Sequence, residues 1–187
     1  MTGRDGSVPR ECWLHPALEI RESTIEGRGL FATTPLAEGT VVARLGGRLV
    51  ARAELLELFA AAERDPERPY IDCISIEPGI DLVLPPNQPI HFCNHGCDPN
   101  VWQTDAFTLI ARRAIGTDDE LTIDYGTQSD GDFEMACKCG STLCRGTVTG
   151  LDWQNPELQA RYGEHWVPVL RERIHAQRSN SGAERPR

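Results

Sequence analysis

The chain has 187 residues, with 19 basic against 28 acidic side chains and a formal net charge of -9. That length suits one domain able to bury a core without disulfides or oligomerisation, and the acidic balance disfavours tight binding to nucleic acid while favouring a basic partner such as a lysine-rich peptide. No run of 18 apolar residues occurs and residues 1–10 are polar with no apolar stretch behind them, so the sequence reads as neither secreted nor membrane-spanning, and a cytoplasmic location is expected (nuclear if the source is eukaryotic).

In chain order, residues 18–50 read as short strands broken by glycine: 18–21, 29–32, 40–44 and 48–50, with Pro35 and Gly39 marking a turn. From Arg52 to Arg64, apolar Leu55, Leu56, Phe59, Ala60 and Ala62 oppose charged residues, which predicts one amphipathic packing helix ending before Pro66. Strand-like pieces follow at 71–76, 82–84, 107–111 and 120–124. Asn155 and Pro156 have the chemistry of a helix start, Gly163 breaks that helix, and Pro168 restarts a short one through Ile174. The polar tail 177–187 lacks periodicity and is expected to be disordered. Many short strands and one internal helix predict a mainly β (α+β) domain.

Seven cysteines without a secretion signal point to thiols or metal ligands rather than disulfides. Cys137-x-Cys139-x4-Cys144 supplies three close thiolates, and a closed tetrahedral zinc site needs a fourth soft ligand from elsewhere. Cys93 and Cys97, four residues apart with His95 between them, are the candidates. Gly27-Arg28-Gly29-Leu-Phe31 lacks the third glycine and following helix of a dinucleotide fingerprint, and a tight turn explains it equally well. A lone tyrosine at a strand end, such as Tyr125, is more often core than catalyst.

Taken together and in order, Asn94-His95-Gly-Cys97-Asp-Pro-Asn100, then Glu120-Leu-Thr-Ile-Asp-Tyr125-Gly126, then Cys137-x-Cys139-Gly-x3-Cys144-Arg145-Gly146 resemble the SET-domain protein lysine methyltransferases with a post-SET zinc site. The resemblance spans roughly residues 17–150. It implies a β-clip of short curved sheets with knot-like C-terminal threading, one internal helix and C-terminal helices. The implied organisation is an N-terminal flank at 1–16, the SET domain at 17–128, the post-SET zinc segment at 133–149, a helical extension at 150–176 and the tail at 177–187. It further implies transfer of a methyl group from S-adenosyl-L-methionine to a lysine of a protein substrate. Tyr125 corresponds to the family's catalytic tyrosine. Gly27, Arg28, Gly29, Asn94, His95 and Leu143 correspond to cofactor-binding positions, and Cys97 closes the structural Zn2+ of Cys137, Cys139 and Cys144, leaving Cys93 as a core thiol.

Some positions depart from the family pattern. Ile123 stands where Phe or Tyr is common, so no hydroxyl restricts methylation there and products beyond monomethyl-lysine are expected. Gly96 replaces a common serine, and the segment 78–91 is unusual, which bears on the substrate channel. A reading from another class is a catalytically silent, zinc-stabilised SET-like module that binds a basic peptide. Intact Gly27-x-Gly29, Asn94-His95 and Tyr125 argue against it, because a binder needs none of them.

Overall fold

The computed structural model describes residues 8–65 and 71–183; the outer parts of the expected flank and tail, 1–7 and 184–187, lie outside the described residues. Three small sheets carry the fold. The first orders β1 (Trp13–Leu14), β4 (Val41–Arg44), β10 (Thr108–Ala111) and β9 (Val101–Gln103); the second orders β2 (Leu18–Glu22), β3 (Arg28–Ala32), β11 (Glu120–Ile123) and β8 (Asn94–His95); the third orders β5 (Arg48–Ala51), β7 (Ile80–Val83) and β6 (Cys73–Glu77). Leu30, Ala32, Val42, Ala43, Leu82, Val101, Ala111 and Leu121 are all at most 1% exposed and form the heart of the core. Short strands rich in valine, leucine and isoleucine suit this arrangement, since each buries a few branched side chains and ends at a glycine or proline turn.

One pairing decides where the chemistry sits. β8 runs parallel to β11, with Asn94 opposite Thr122 and His95 opposite Ile123. A parallel pair needs a long return connection, and the hairpin of β9 and β10 supplies it. Asn100 then acts as a substitute strand: its Oδ1 accepts from the Thr122 N–H at 2.9 Å and its Nδ2 donates to the Glu120 carbonyl at 2.8 Å. The loop from Asn94 to Asn100 is therefore stitched to β11 along its whole length.

Two helical expectations change. α1 (Arg52–Glu63) forms as predicted, but Leu55 is its one buried residue and Leu56 is 58% exposed. The helix touches β5 and β7 along a narrow edge, so its apolar stripe is only partly used. At the C-terminus, α2 (Pro156–Tyr162) starts as expected, with Asn155 Oδ1 accepting from the Glu157 N–H at 2.9 Å, and Gly163 ends it at φ +56°. α3, however, runs from Pro168 to Ala183, past Ile174 and through the first part of the expected disordered tail. Side chains that a periodicity reading discounts hold it: Gln159 Nε2 donates to Gln177 Oε1 at 3.0 Å, and Arg178 Nε donates to Gln159 Oε1 at 3.1 Å.

Candidate active site and metal centre

The turn before β3 and the start of β8 gather hydrogen-bond acceptors in one place, the candidate cofactor pocket. Asn94 Nδ2 lies 3.2 Å from Ser23 Oγ, 3.2 Å from the Glu26 carbonyl, 3.0 Å from the Arg28 carbonyl and 2.7 Å from Glu120 Oε1. An amide nitrogen has two hydrogens for these four acceptors. Glu120 is held by neutral partners, the Ser23 hydroxyl at 2.8 and 2.9 Å and the Asn94 amide. A surplus of acceptors around a carboxylate suits a cationic ligand group that brings its own N–H donors.

Both glycines of the turn have a specific reason. Gly27 adopts φ +47°, in the left-handed region. A Cβ on Gly29 would stand 2.2 Å from Glu120 Oε1, so Gly29 makes room for that carboxylate. Arg28 contributes its carbonyl to the pocket and lays its guanidinium over the Phe92 ring at 4.8 Å. Leu143 sits on the cysteine loop, 46% exposed. Lys138 donates to Glu26 at 2.5 Å, which ties that loop to the pocket's turn through an exposed ion pair.

Cys97 of the Asn94–Asn100 loop meets two of the three loop cysteines, together with His95. The ligand atoms of His95, Cys97, Cys137 and Cys139 lie within 4.8 Å of one another, Cys97 Sγ is 3.7 Å from Cys137 Sγ, and the Cys144 thiol interacts with those of Cys137 and Cys139. Three thiols and an imidazole this close can hold a zinc ion, and Cys144, the exposed thiol of the loop, is a further candidate ligand. His95 is one of these candidates, but its hydrogen bonds give it another task. The Tyr125 N–H donates to Nδ1 at 3.2 Å, so the neutral ring carries its proton on Nε2, which faces Cys97 Sγ at 3.3 Å. Burial keeps this imidazole below its usual pKa and so neutral at pH 7. His95 thereby supports the Cys97 sulfur in the manner of an outer-shell partner, and its side chain does not face the Asn94 pocket. Cys93, by contrast, is 6% exposed, lies against the Leu121 carbonyl, and is pushed up to about 12 by burial: a core thiol.

Tyr125 opens a 3-10 turn (Tyr125–Thr127) directly after β11. Its hydroxyl donates to the Cys93 carbonyl at 2.9 Å, next to Asn94 in the chain. Beneath it lies a network that sequence reading missed. Asp124, with its side chain 1% exposed, binds Arg145 through two bonds of 2.7 Å and accepts from the Tyr162 hydroxyl at 2.7 Å. Arg145 also reaches Asp152 Oδ2 at 2.8 and 3.1 Å. Burial works against the Arg145 cation, yet its bonds to Asp124 hold its pKa above the usual value. Asp130 is likewise taken, by Arg52 at 2.8 Å and Arg173 at 3.0 Å. Asp124 and Asp130 are thus internal counter-charges. The positions of Asp124 beside Tyr125 and Arg145 beside Cys144 were visible signals, whereas nothing local marks Asp152 or Tyr162.

The "SET domain" family model matches residues 27–126, more than half of the chain. Histone-lysine N-methyltransferase ash1 of Drosophila melanogaster is 28% identical over 156 residues, covering 78% of this chain and 7% of that protein. Histone-lysine N-methyltransferase ATX2 of Arabidopsis thaliana is 31% identical over 152 residues, 76% of this chain and 14% of its own length. The chain therefore spans a small part of these curated relatives. Among solved structures, the methyltransferase domain of human histone-lysine N-methyltransferase SETMAR superposes with a TM-score of 0.58 at 20% identity, covering 72% of this chain and 58% of that one, a likeness of fold.

Proposed function

We infer, from the premise that this chain belongs to the SET domain family, that it transfers a methyl group from S-adenosyl-L-methionine to a lysine of a protein substrate. The observation that carries the reading is the parallel pairing of β8 with β11. Through it the acceptor-rich pocket, the Tyr125 hydroxyl and the Cys97 thiol all attach to one run of five residues, Cys93 to Cys97.

Bound in the pocket, the cofactor would supply a methyl group on a sulfonium, ready for in-line displacement by an amine. Asn94, the carbonyls of Glu26 and Arg28, and the Glu120 carboxylate would hold its ammonium group, with Gly27 and Gly29 leaving the turn open. His95 would act behind this surface, and Leu143, on the cysteine loop, would cover it. Cys97, Cys137, Cys139 and Cys144 would hold a structural zinc that folds this loop as a lid; coordination of this kind can contribute on the order of 10 kcal/mol to ordering a segment.

Lysine must be neutral to attack. With a free pKa of about 10.4, deprotonation at pH 7 costs roughly 4 to 5 kcal/mol, and a dry channel beside a cationic sulfonium reduces that cost. The Tyr125 hydroxyl gives its proton to the Cys93 carbonyl, and its oxygen would accept an N–H from the amine and turn the lone pair towards the methyl group. Positioning and electrostatics supply most of the acceleration. The substrate we propose is a basic, lysine-containing protein segment. Ile123, 3% exposed and without a hydroxyl, sets no polar limit on successive methylations, so products beyond monomethyl-lysine are expected in a mass-spectrometric time course.

The decisive experiment pairs Tyr125→Phe with calorimetry. The variant should bind S-adenosyl-L-methionine with the wild-type Kd while its turnover on a lysine-rich peptide falls by at least about a hundredfold. Retained turnover removes Tyr125 from the reaction; no cofactor binding by the wild-type protein would favour the silent peptide-binding module instead. No helix among the described residues is long and apolar enough to cross a membrane.

A further inference from the structure

We propose that Arg145 is a positioning residue for Tyr125, acting through Asp124, and that it carries the folding of the cysteine loop into the alignment of the phenol. The proposal rests on the role given to Tyr125 above. Asp124 does two jobs at once. As the cap of the 3-10 turn it accepts from the Gly126 N–H at 3.0 Å, while its carbonyl accepts from the Thr127 N–H at 2.9 Å and the Thr127 hydroxyl at 2.7 Å. The same carboxylate takes both arms of the Arg145 guanidinium at 2.7 Å. Any rotation of the carboxylate away from Gly126 therefore re-aims the turn that presents Tyr125.

Arg145 belongs by its backbone to the cysteine loop. It follows Cys144, and its N–H points at Cys97 Sγ at 3.4 Å. Asp152, fixed in turn by the Thr149 hydroxyl at 3.0 Å, holds the other side of the guanidinium. The fork is thus aimed from two directions before it meets Asp124. A planar, two-pronged donor transmits orientation as well as charge, which a lysine ammonium does not. Ångström-scale misplacement of an aligned group is enough to cost on the order of a hundredfold in rate. When the loop is ordered, the turn is gripped; when it opens, Asp124 loses its main counter-charge and the turn loosens.

A role confined to stability makes different predictions. Arg145→Lys should lower kcat at least tenfold while the peptide KM and the cofactor Kd stay within twofold of wild type and the protein retains about one equivalent of zinc. Removing Arg145 alone strands the buried Asp124 carboxylate and can unfold the protein, so the informative partner is the double variant Arg145→Met with Asp124→Asn, which removes both charges of that pair, leaves the more exposed Asp152 its Thr149 bond, and recovers much of the stability. Its kcat should remain at least tenfold low although its Tm returns towards wild type. Hydrogen exchange at the Gly126 and Thr127 amides should be faster in both variants. Recovery of kcat along with Tm in the double variant, or a kcat within twofold of wild type in Arg145→Lys, would overturn the proposal. If the wild-type protein methylates no lysine peptide, the proposed activity fails separately, and unchanged exchange at Gly126 and Thr127 would then overturn the clamp as well.

Discussion

The cysteine loop and the C-terminal helices both follow Tyr125 and both close over the SET core, yet different forces hold them. From β12 (Glu134–Ala136) to β13 (Thr147–Thr149), which pair with each other, Val148 is the one buried residue. The helices that come next bury Leu158, Tyr162, Trp166, Val167, Val169, Leu170 and Ile174, each at most 3% exposed. The loop has the chemistry of a metal-folded segment and the helices that of an ordinary core. A segment with little apolar area cannot offset its own ordering entropy, so it needs ligation; a segment with this much needs none.

Removing a ligand probes the contrast most harshly. Cys137→Ser, or a strong chelator, should release the metal and abolish methyl transfer, while tryptophan fluorescence from Trp153 and Trp166 and the far-UV signal of the helices stay near wild type. Loss of the helices at the same time would mean that the two regions form one cooperative unit. Trp166→Ala reverses the experiment. Trp166 is 2% exposed and packs edge-to-face with Tyr162 at 5.6 Å, so truncation should cost about 3–5 kcal/mol in denaturant unfolding. Zinc content of the folded fraction should not change.

Milder changes sharpen the comparison. Gly29→Ala brings a methyl group against Glu120 and should weaken S-adenosyl-L-methionine binding about tenfold, near 1.4 kcal/mol, without touching the lid or the helices. Equal affinity would show that Glu120 moves aside at no cost. Smallest is Gln159→Leu, which deletes the bonds of Gln159 to Gln177, Arg178 and the Trp153 carbonyl. It should cost about 1 kcal/mol and shorten α3 to a boundary nearer Ile174, seen as lost helical signal.

Much of this was legible in the chain. The strand positions, the start and stop of α2 and the trio of cysteines follow from local chemistry: branched residues between turns, an asparagine cap before proline, thiols at ligand spacing. The extent of α3 was not legible, because polar side chains from α2 stabilise it. The short strands β1, β8, β9, β12 and β13 escaped notice for a similar reason, each being two or three residues long and defined only by its partner.

The sequence by itself determined the family, the thiols at metal-ligand spacing and the candidate tyrosine, since these are properties of residue type and spacing along one chain. Only the tertiary structure decided what surrounds them. It turned His95 away from the Asn94 pocket towards Cys97, put Glu120 in the space that Gly29 leaves, and buried Asp124 against Arg145 and Tyr162. The Glu120 and Asp124 contacts join residues distant in sequence, and the His95 ring is oriented by the N–H of Tyr125, 30 residues on. A buried charge or polar ring is stable only beside its partners, and the fold alone brings those partners together.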